Sequence, residues 1–134
     1  MIHVRDTDFF RPTVDAIDWS AFADAIAAPA EPVDRSLTRM LGEIVPPRRP
    51  IGVYSLGRQT GSLFDIDYLA VAPEFRGQGF GRRLLGHALG LAESKGGRVV
   101  DICAPDDRSR AVFTRYGFEP TEDERRLRFV LPPE

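Results

Sequence analysis

Residues 69 to 85 read Leu-Ala-Val-Ala-Pro-Glu-Phe-Arg-Gly-Gln-Gly-Phe-Gly-Arg-Arg-Leu-Leu, an apolar strand that breaks at Pro73 into a glycine-rich turn and then opens a helix. Few segments restrict a chain more. Gly77, Gly79 and Gly81 remove side chains where backbone must approach a neighbour closely, and the first turn of any helix carries N–H groups without intrahelical acceptors. The helix dipole adds partial positive charge at that end, and Arg76, Arg82 and Arg83 supply full charges around it. Such a turn suits a phosphate, and a pyrophosphate better.

A tight strand-to-helix connection needs one glycine, so three ask for a further reason, because each costs backbone entropy. A nucleotide triphosphatase loop requires Gly, four residues, then Gly-Lys-Ser/Thr, and the chain contains no such string. A dinucleotide-binding turn places its third glycine three residues after the second, whereas Gly81 follows Gly79 by two. Asp101 lies downstream where a ribose-binding acid is expected, but between Val100 and Ile102 in mid-strand, and only 33 residues follow it. That is too little chain to complete a doubly wound sheet.

With those readings set aside, Arg76-Gly77-Gln78-Gly79-Phe80-Gly81 resembles the Arg/Gln-x-x-Gly-x-Gly/Ala signature of the GCN5-related N-acetyltransferases, behind the hydrophobic strand and proline that family shows. The context resembles it too: a helix from Arg82 to Ser94, a Gly96-Gly97 break, a strand from Arg98 to Ala104, a helix from Asp107 to Tyr116, and Gly117-Phe118. The resemblance covers about residues 51 to 131 and follows the first fifty only in outline. It implies an α/β (α+β) fold, a central, mostly antiparallel mixed sheet flanked by helices, in one domain spanning residues 1–134.

Composition agrees with one globular domain: 134 residues, 43% hydrophobic and 28% charged. The formal net charge of -2 leaves no electrostatic footprint for nucleic acid or an anionic membrane, and suits amine substrates. Cys103 is the single cysteine, so neither a disulfide framework nor a zinc cluster is expected, and His3 and His87 are far apart in sequence. There is no membrane-length apolar run and no signal-peptide pattern, which makes the cytoplasm the expected location.

Along the chain, Ile2 to Arg5 reads as a strand ended by Asp6-Thr7-Asp8. Ala16, Ile17, Trp19 to Ala23 and Ile26 give a helical face stopped by Pro29 and Pro32; Asp34 or Ser36 then caps a second helix carrying Leu37, Met40, Leu41 and Ile44. The family's corresponding helices line its acceptor pocket, which makes Trp19, Phe22 and Met40 candidate substrate contacts. Ile51 to Leu56 and Ser62 to Val71 read as a hairpin around Gly57 to Gly61, with no separate second strand before them. Leu84, Leu85, Ala88, Leu89 and Ala92 form a stripe that packs a helix on a sheet. Leu127, Phe129 and Leu131 alternate with Arg126 and Arg128 as a half-exposed strand.

The resemblance implies transfer of an acetyl group from acetyl-CoA to an amine of a small molecule or protein, by direct attack on the thioester, in a monomer or homodimer. Arg76, Gly77, Gln78, Gly79, Phe80, Gly81 and Arg82 would anchor the pyrophosphate, and the backbone of Leu69, Ala70 and Val71 would pair with the pantetheine arm as an added strand does. An ammonium has no lone pair, so the amine needs a base. Asp65, Asp67 and Asp101 are the candidates: Asp65 falls where histone-acetylating members carry their glutamate, and Asp101 where ribosomal-protein acetyltransferases carry theirs. The tyrosine that usually protonates the leaving sulfur is replaced by Phe113, and the asparagine seven residues before it by Asp106. Both are taken with the cofactor-contacting residues, Asp106 also as a helix cap. Tyr116 or water is the substitute acid, although three residues along a helix rotate Tyr116 by about 300° and raise it by about 4.5 Å. Cys103 on a strand reads as a core residue rather than an acyl carrier. Phe113 and Asp106 also keep open a CoA-binding module, acting as a sensor or partner subunit, that has lost efficient chemistry.

Overall fold

The computed structural model describes residues 7–11, 37–104 and 106–132. Within them lie strands β1 (Thr7–Phe10), β2 (Thr38–Glu43), β3 (Pro50–Thr60) and β4 (Leu63–Val71), a 3-10 turn (Pro73–Phe75), helix α1 (Phe80–Ser94), β5 (Val99–Cys103), helix α2 (Asp107–Tyr116), β6 (Glu119–Pro120) and β7 (Arg126–Val130). The strands form one sheet in the order β1-β2-β3-β4-β5-β7-β6. Every neighbouring pair is antiparallel except β4 and β5, which run parallel because α1 carries the chain from one to the other. The expected mixed, mostly antiparallel sheet with flanking helices is the architecture found.

Local chemistry accounts for the central elements. Between Ile51 and Val71 there is no proline, and Gly61, at φ +45°, makes the turn that joins β3 to β4. The α1 stripe of Leu84, Leu85, Ala88, Leu89 and Ala92 is buried against the sheet, and burial of each leucine contributes about 1.5–3 kcal/mol. Gly52 lets α1 settle this closely, since a Cβ there would lie 2.5 Å from Leu84 Cδ1. Helix α1 runs out into Gly96 at φ +88°. Helix α2 lies beside α1, its Tyr116 hydroxyl 3.3 Å from where a Gly86 Cβ would stand, and its C-terminal end packs through Phe113 and Tyr116 on Phe118, with Tyr116 also against Phe129.

The N-terminal part of the sheet differs from the pattern read in the sequence. Leu37 to Ile44 is not a helix: Thr38–Glu43 is β2, paired with β1 on one side and β3 on the other, and it supplies the separate second strand. Thr38, Arg39, Met40, Leu41 and Gly42 are all buried, so the strand shows no in-out alternation, and Leu37, Met40 and Leu41 imitate helical spacing. Met40 is therefore a core residue of the sheet, opposite Val53. Thr7 and Asp8, read as the end of a strand, begin β1 instead. The strand expected at Ile2 to Arg5, the helix expected over Ala16 to Ile26, the Asp34 or Ser36 cap and the contacts expected of Trp19 and Phe22 lie outside the described residues.

Strand β4 carries two irregularities. Opposite β3, Ser55 faces Tyr68 and the next residue, Leu56, faces Ile66; Asp67 has no partner and forms a β-bulge. Opposite β5, pairing runs from Leu63–Val99 to Ile66–Ile102 and then stops, while β4 continues to Val71. Beyond Ile66 the two parallel strands part.

Candidate active site

Past the point of parting, Leu69, Ala70 and Val71 pair only with β3, opposite Tyr54, Val53 and Gly52. Among the described residues their backbone groups directed toward β5 have no strand partner, although Val71 O accepts from Arg76 Nε, and they form an internal edge able to accept an extended chain. The turn at its end is held from below: Phe75 and Phe80 are buried on either side of the glycines and meet edge to face at 6.1 Å. Gly77 at φ +77° and Gly79 at φ +86° adopt left-handed backbone that side chains resist. Gly81 needs no such freedom, and a Cβ there would touch nothing within 4 Å. A glycine in a helix costs about 1 kcal/mol against alanine, and at Gly81 it leaves the first turn of α1 bare on its outer side.

The amides of this turn are equally bare. Gly79 caps α1 without a side-chain acceptor, and among the described residues the N–H groups from Gly77 to Arg82 have no acceptor in the chain. Six successive donors at the positive end of a helix fit a diphosphate. Arg76 stands beside them, its Nε donating to Val71 O at 3.3 Å, and Arg82 lies 5.9 Å from the Tyr116 ring centre. Arg83, expected at the same turn, is directed elsewhere: its Nη1 donates to Thr7 Oγ1 at 2.6 Å and ties α1 to β1.

On the sheet face opposite α1, the parallel register sets Asp65 directly beside Asp101, and Arg128 lies directly opposite Asp101 on β7. The Arg128 fork donates to both Asp101 oxygens, Nε to Oδ1 at 2.7 Å and Nη2 to Oδ2 at 2.9 Å. Arg126 Nη1 bridges Asp65 Oδ1 at 2.9 Å and Asp101 Oδ2 at 3.0 Å. Three strands are thus cross-linked where β4 and β5 begin to separate. Burial by itself would push the Asp101 carboxyl up, but the hydrogen bonds from Arg128 and Arg126 outweigh it and hold the group below the ordinary aspartate range. Asp67 responds oppositely: although the residue is exposed overall, partial desolvation in the cleft first, then the negative charge of Asp65, raise its carboxyl. Asp65, Asp67, Asp101, Ile102, Cys103 and Arg126 line a cleft of about 170 Å³ with Ile66.

The structure therefore brings Asp65 and Asp101 together, as neighbours rather than alternatives. It does not bring Tyr116 to them; that hydroxyl packs over Gly86, in a shallow pocket formed with Arg82, Val112 and Arg115. Asp106 caps α2, accepting from Ser109 N at 2.7 Å, and Phe113 packs against Phe118. Cys103 is exposed at the cleft wall, not buried in the core as read from the sequence. Arg126 and Arg128 were legible only as the polar side of a half-exposed strand. Two arginines two residues apart on an alternating strand, in a chain with aspartates on two apolar strands, were the available signal. Among the described residues no histidine, cysteine or carboxylate group is arranged to hold a metal, and no helix is long and apolar enough to cross a membrane.

Comparison with known proteins agrees with this geometry. An uncharacterised protein of Mycobacterium leprae is 34% identical over 68 residues, which is 51% of this chain but only 19% of that protein, so the matched stretch spans about a fifth of its length. Two solved folds superpose closely. The IAA acetyltransferase from Bacillus cereus gives a TM-score of 0.70 at 23% identity, covering 93% of this chain and 99% of that one. AtaT, in the AtaTR crystal structure bound with AcCoA, gives 0.70 at 22% identity, covering 95% and 94%; complexed with acetyl-methionyl-tRNAfMet it gives 0.68 at 19%, covering 93% and 95%. The family model for acetyltransferases of the GNAT type matches residues 16–118, beginning well before the stretch in which the resemblance is carried by motifs. The glycine turn, the parted strands and this match lead to one assignment: the chain belongs to the acetyltransferase (GNAT) family.

Proposed function

We propose that this chain is an acyl-CoA-dependent N-acetyltransferase that uses acetyl-CoA to acetylate a primary amine of a small molecule or protein. The observation that carries the reading is the row of N–H groups from Gly77 to Arg82 that no acceptor claims among the described residues, lying at the end of a strand edge that β5 has left open. The turn would hold the diphosphate, with Arg76 and Arg82 as counter-charges, and the backbone of Leu69 to Val71 would pair with the pantetheine arm. Bound there, acetyl-CoA supplies an activated acetyl carbon: a carbon–nitrogen bond forms, the carbon–sulfur bond breaks, and the amine gives up one proton to a base and a second, by way of water, to the departing sulfur.

The chain's own task is then to orient the amine and take its first proton. The carboxylate cleft next to the parted strands is suited to both, since its three carboxylates outnumber its two guanidiniums and attract an ammonium. Phe113 cannot donate a proton to sulfur, and Tyr116 is turned onto α1, so water protonates the leaving thiolate. A thiolate is a good enough leaving group for this to lower the rate without abolishing it; a general acid contributes about 10²- to 10⁴-fold.

Two measurements test the reading in sequence. Thermal shift and calorimetry with acetyl-CoA should show binding, and free-thiol release should follow with at least one member of a panel spanning polyamines, lysine peptides, free amino acids and aminoacyl-tRNA. Binding without thiol release would favour the CoA-binding module, and no binding would remove both readings.

A further inference from the structure

Three carboxylates meet in the cleft where β4 and β5 part, and two of them are already engaged. Asp101 has both oxygens held by Arg128 and one of them shared with Arg126, and Asp65 gives Oδ1 to the same Arg126 nitrogen. Among the described residues, no cation or N–H group bonds to Asp67. Its position is also the odd one. As the bulge residue of β4 it has no partner on β3, and it is the first residue beyond the last β4–β5 pair, at the start of the open edge. Bulges re-aim a side chain at the cost of a ladder bond, and this one turns the Asp67 carboxylate over Gly57, where any Cβ would lie 2.8 Å from Oδ2. Gly57 has no left-handed φ that would require a glycine. The space it leaves is filled by that carboxylate.

We propose that Asp67 accepts the proton of the acceptor amine, and that Arg126 and Arg128 hold Asp65 and Asp101 as fixed charges beside it. This rests on the acetyltransferase reading above. In the step, one N–H bond of the substrate ammonium breaks and its proton moves to an Asp67 oxygen, leaving the nitrogen lone pair free; Asp67 later returns that proton to water. Asp101, held below the ordinary range by its two guanidiniums, stays ionised throughout, and partial burial together with the neighbouring Asp65 favours the protonated form of Asp67. A base nearer neutrality takes the proton more effectively than one held below the ordinary range by two guanidiniums.

The assignment is tested by Asp67→Asn and Gly57→Ala, with the carboxyl groups of the free protein followed by carbon NMR between pH 2 and 8. Asp67 should titrate above Asp101, and Asp67→Asn should remove the upper transition. With the panel amine that gives thiol release, Asp67→Asn should lower kcat by about 10²- to 10⁴-fold and erase the acidic limb of the pH profile, with acetyl-CoA affinity unchanged. In Gly57→Ala the new methyl has to displace a flexible carboxylate rather than backbone, so the fold should survive while kcat falls by about tenfold or more. An Asp67→Asn protein that keeps its rate and its acidic limb, or an Asp67 that titrates below Asp101, overturns the assignment. A wild-type protein that fails to bind acetyl-CoA overturns the acetyltransferase reading itself, and Asp67's role with it.

Discussion

The glycine turn and the carboxylate cleft sit at opposite ends of the same strand edge and solve opposite problems. The turn exposes neutral backbone donors that have no acceptor among the described residues, whereas the cleft carries full charges and balances most of them internally. A site built from unpaired amides is completed by its ligand and needs little from its side chains. A site built from paired ions holds its geometry unaided, and a carboxylate left out of the pairing among the described residues, as Asp67 is, keeps its oxygens open to a ligand.

The comparison breaks first at Gly79. Gly79→Val forces a β-branched residue into backbone at φ +86° and directs its side chain into the space above the amides, which should cost about 1–2 kcal/mol of stability and weaken acetyl-CoA binding by about 10²-fold. Calorimetry at matched folded fraction checks this, and full affinity would show that the diphosphate lies elsewhere. Next in size, Asp101→Asn removes the acceptor of three charged hydrogen bonds, while its two arginines, each nearly half exposed, can turn to water. A loss of about 1–3 kcal/mol is expected in denaturant unfolding. An unchanged midpoint would mean that the cross-linking of β4, β5 and β7 contributes nothing.

The same carboxylate gives a pH signature. A carboxyl held low in the folded state stabilises the fold above its unfolded pKa of about 3.9, and that contribution is lost as pH falls through the lower folded value. Acid unfolding of Asp101→Asn should therefore lack the part of the transition that the wild type shows below about pH 4. The smallest effect is expected at Arg76. Arg76→Ala removes a counter-charge but none of the amides, so acetyl-CoA affinity should fall by only about tenfold, and less at high salt. A larger loss there than at Gly79 would reverse the comparison and make the turn a side-chain site.

Much of this was legible in the chain because it is local. The signature turn, the α1 stripe, the Asp106 cap and the glycine at the end of α2 each lie within a few residues of what they determine. The β2 strand was not legible: burial on both faces removed its alternation, and the spacing of Leu37, Met40 and Leu41 then matched a helix. Arg83 was misassigned for a related reason, since nothing near it in sequence foretells that Thr7, 76 residues away, accepts its hydrogen bond.

By itself the sequence determined that a strand, a glycine turn and a helix would present unpaired amides, because helix ends and left-handed glycines follow from neighbouring residues alone. It also placed three aspartates on adjacent strands without ranking them. Only the tertiary structure gave them different surroundings, through a register that sets Asp65 against Asp101, a β7 strand that brings two arginines to them, and a bulge at Asp67, whose carboxylate has no cation bonded to it among the described residues. Register and bulge arise from pairings between residues far apart in the chain, and the ionisation of a carboxylate depends on which charges those pairings bring within a few ångströms.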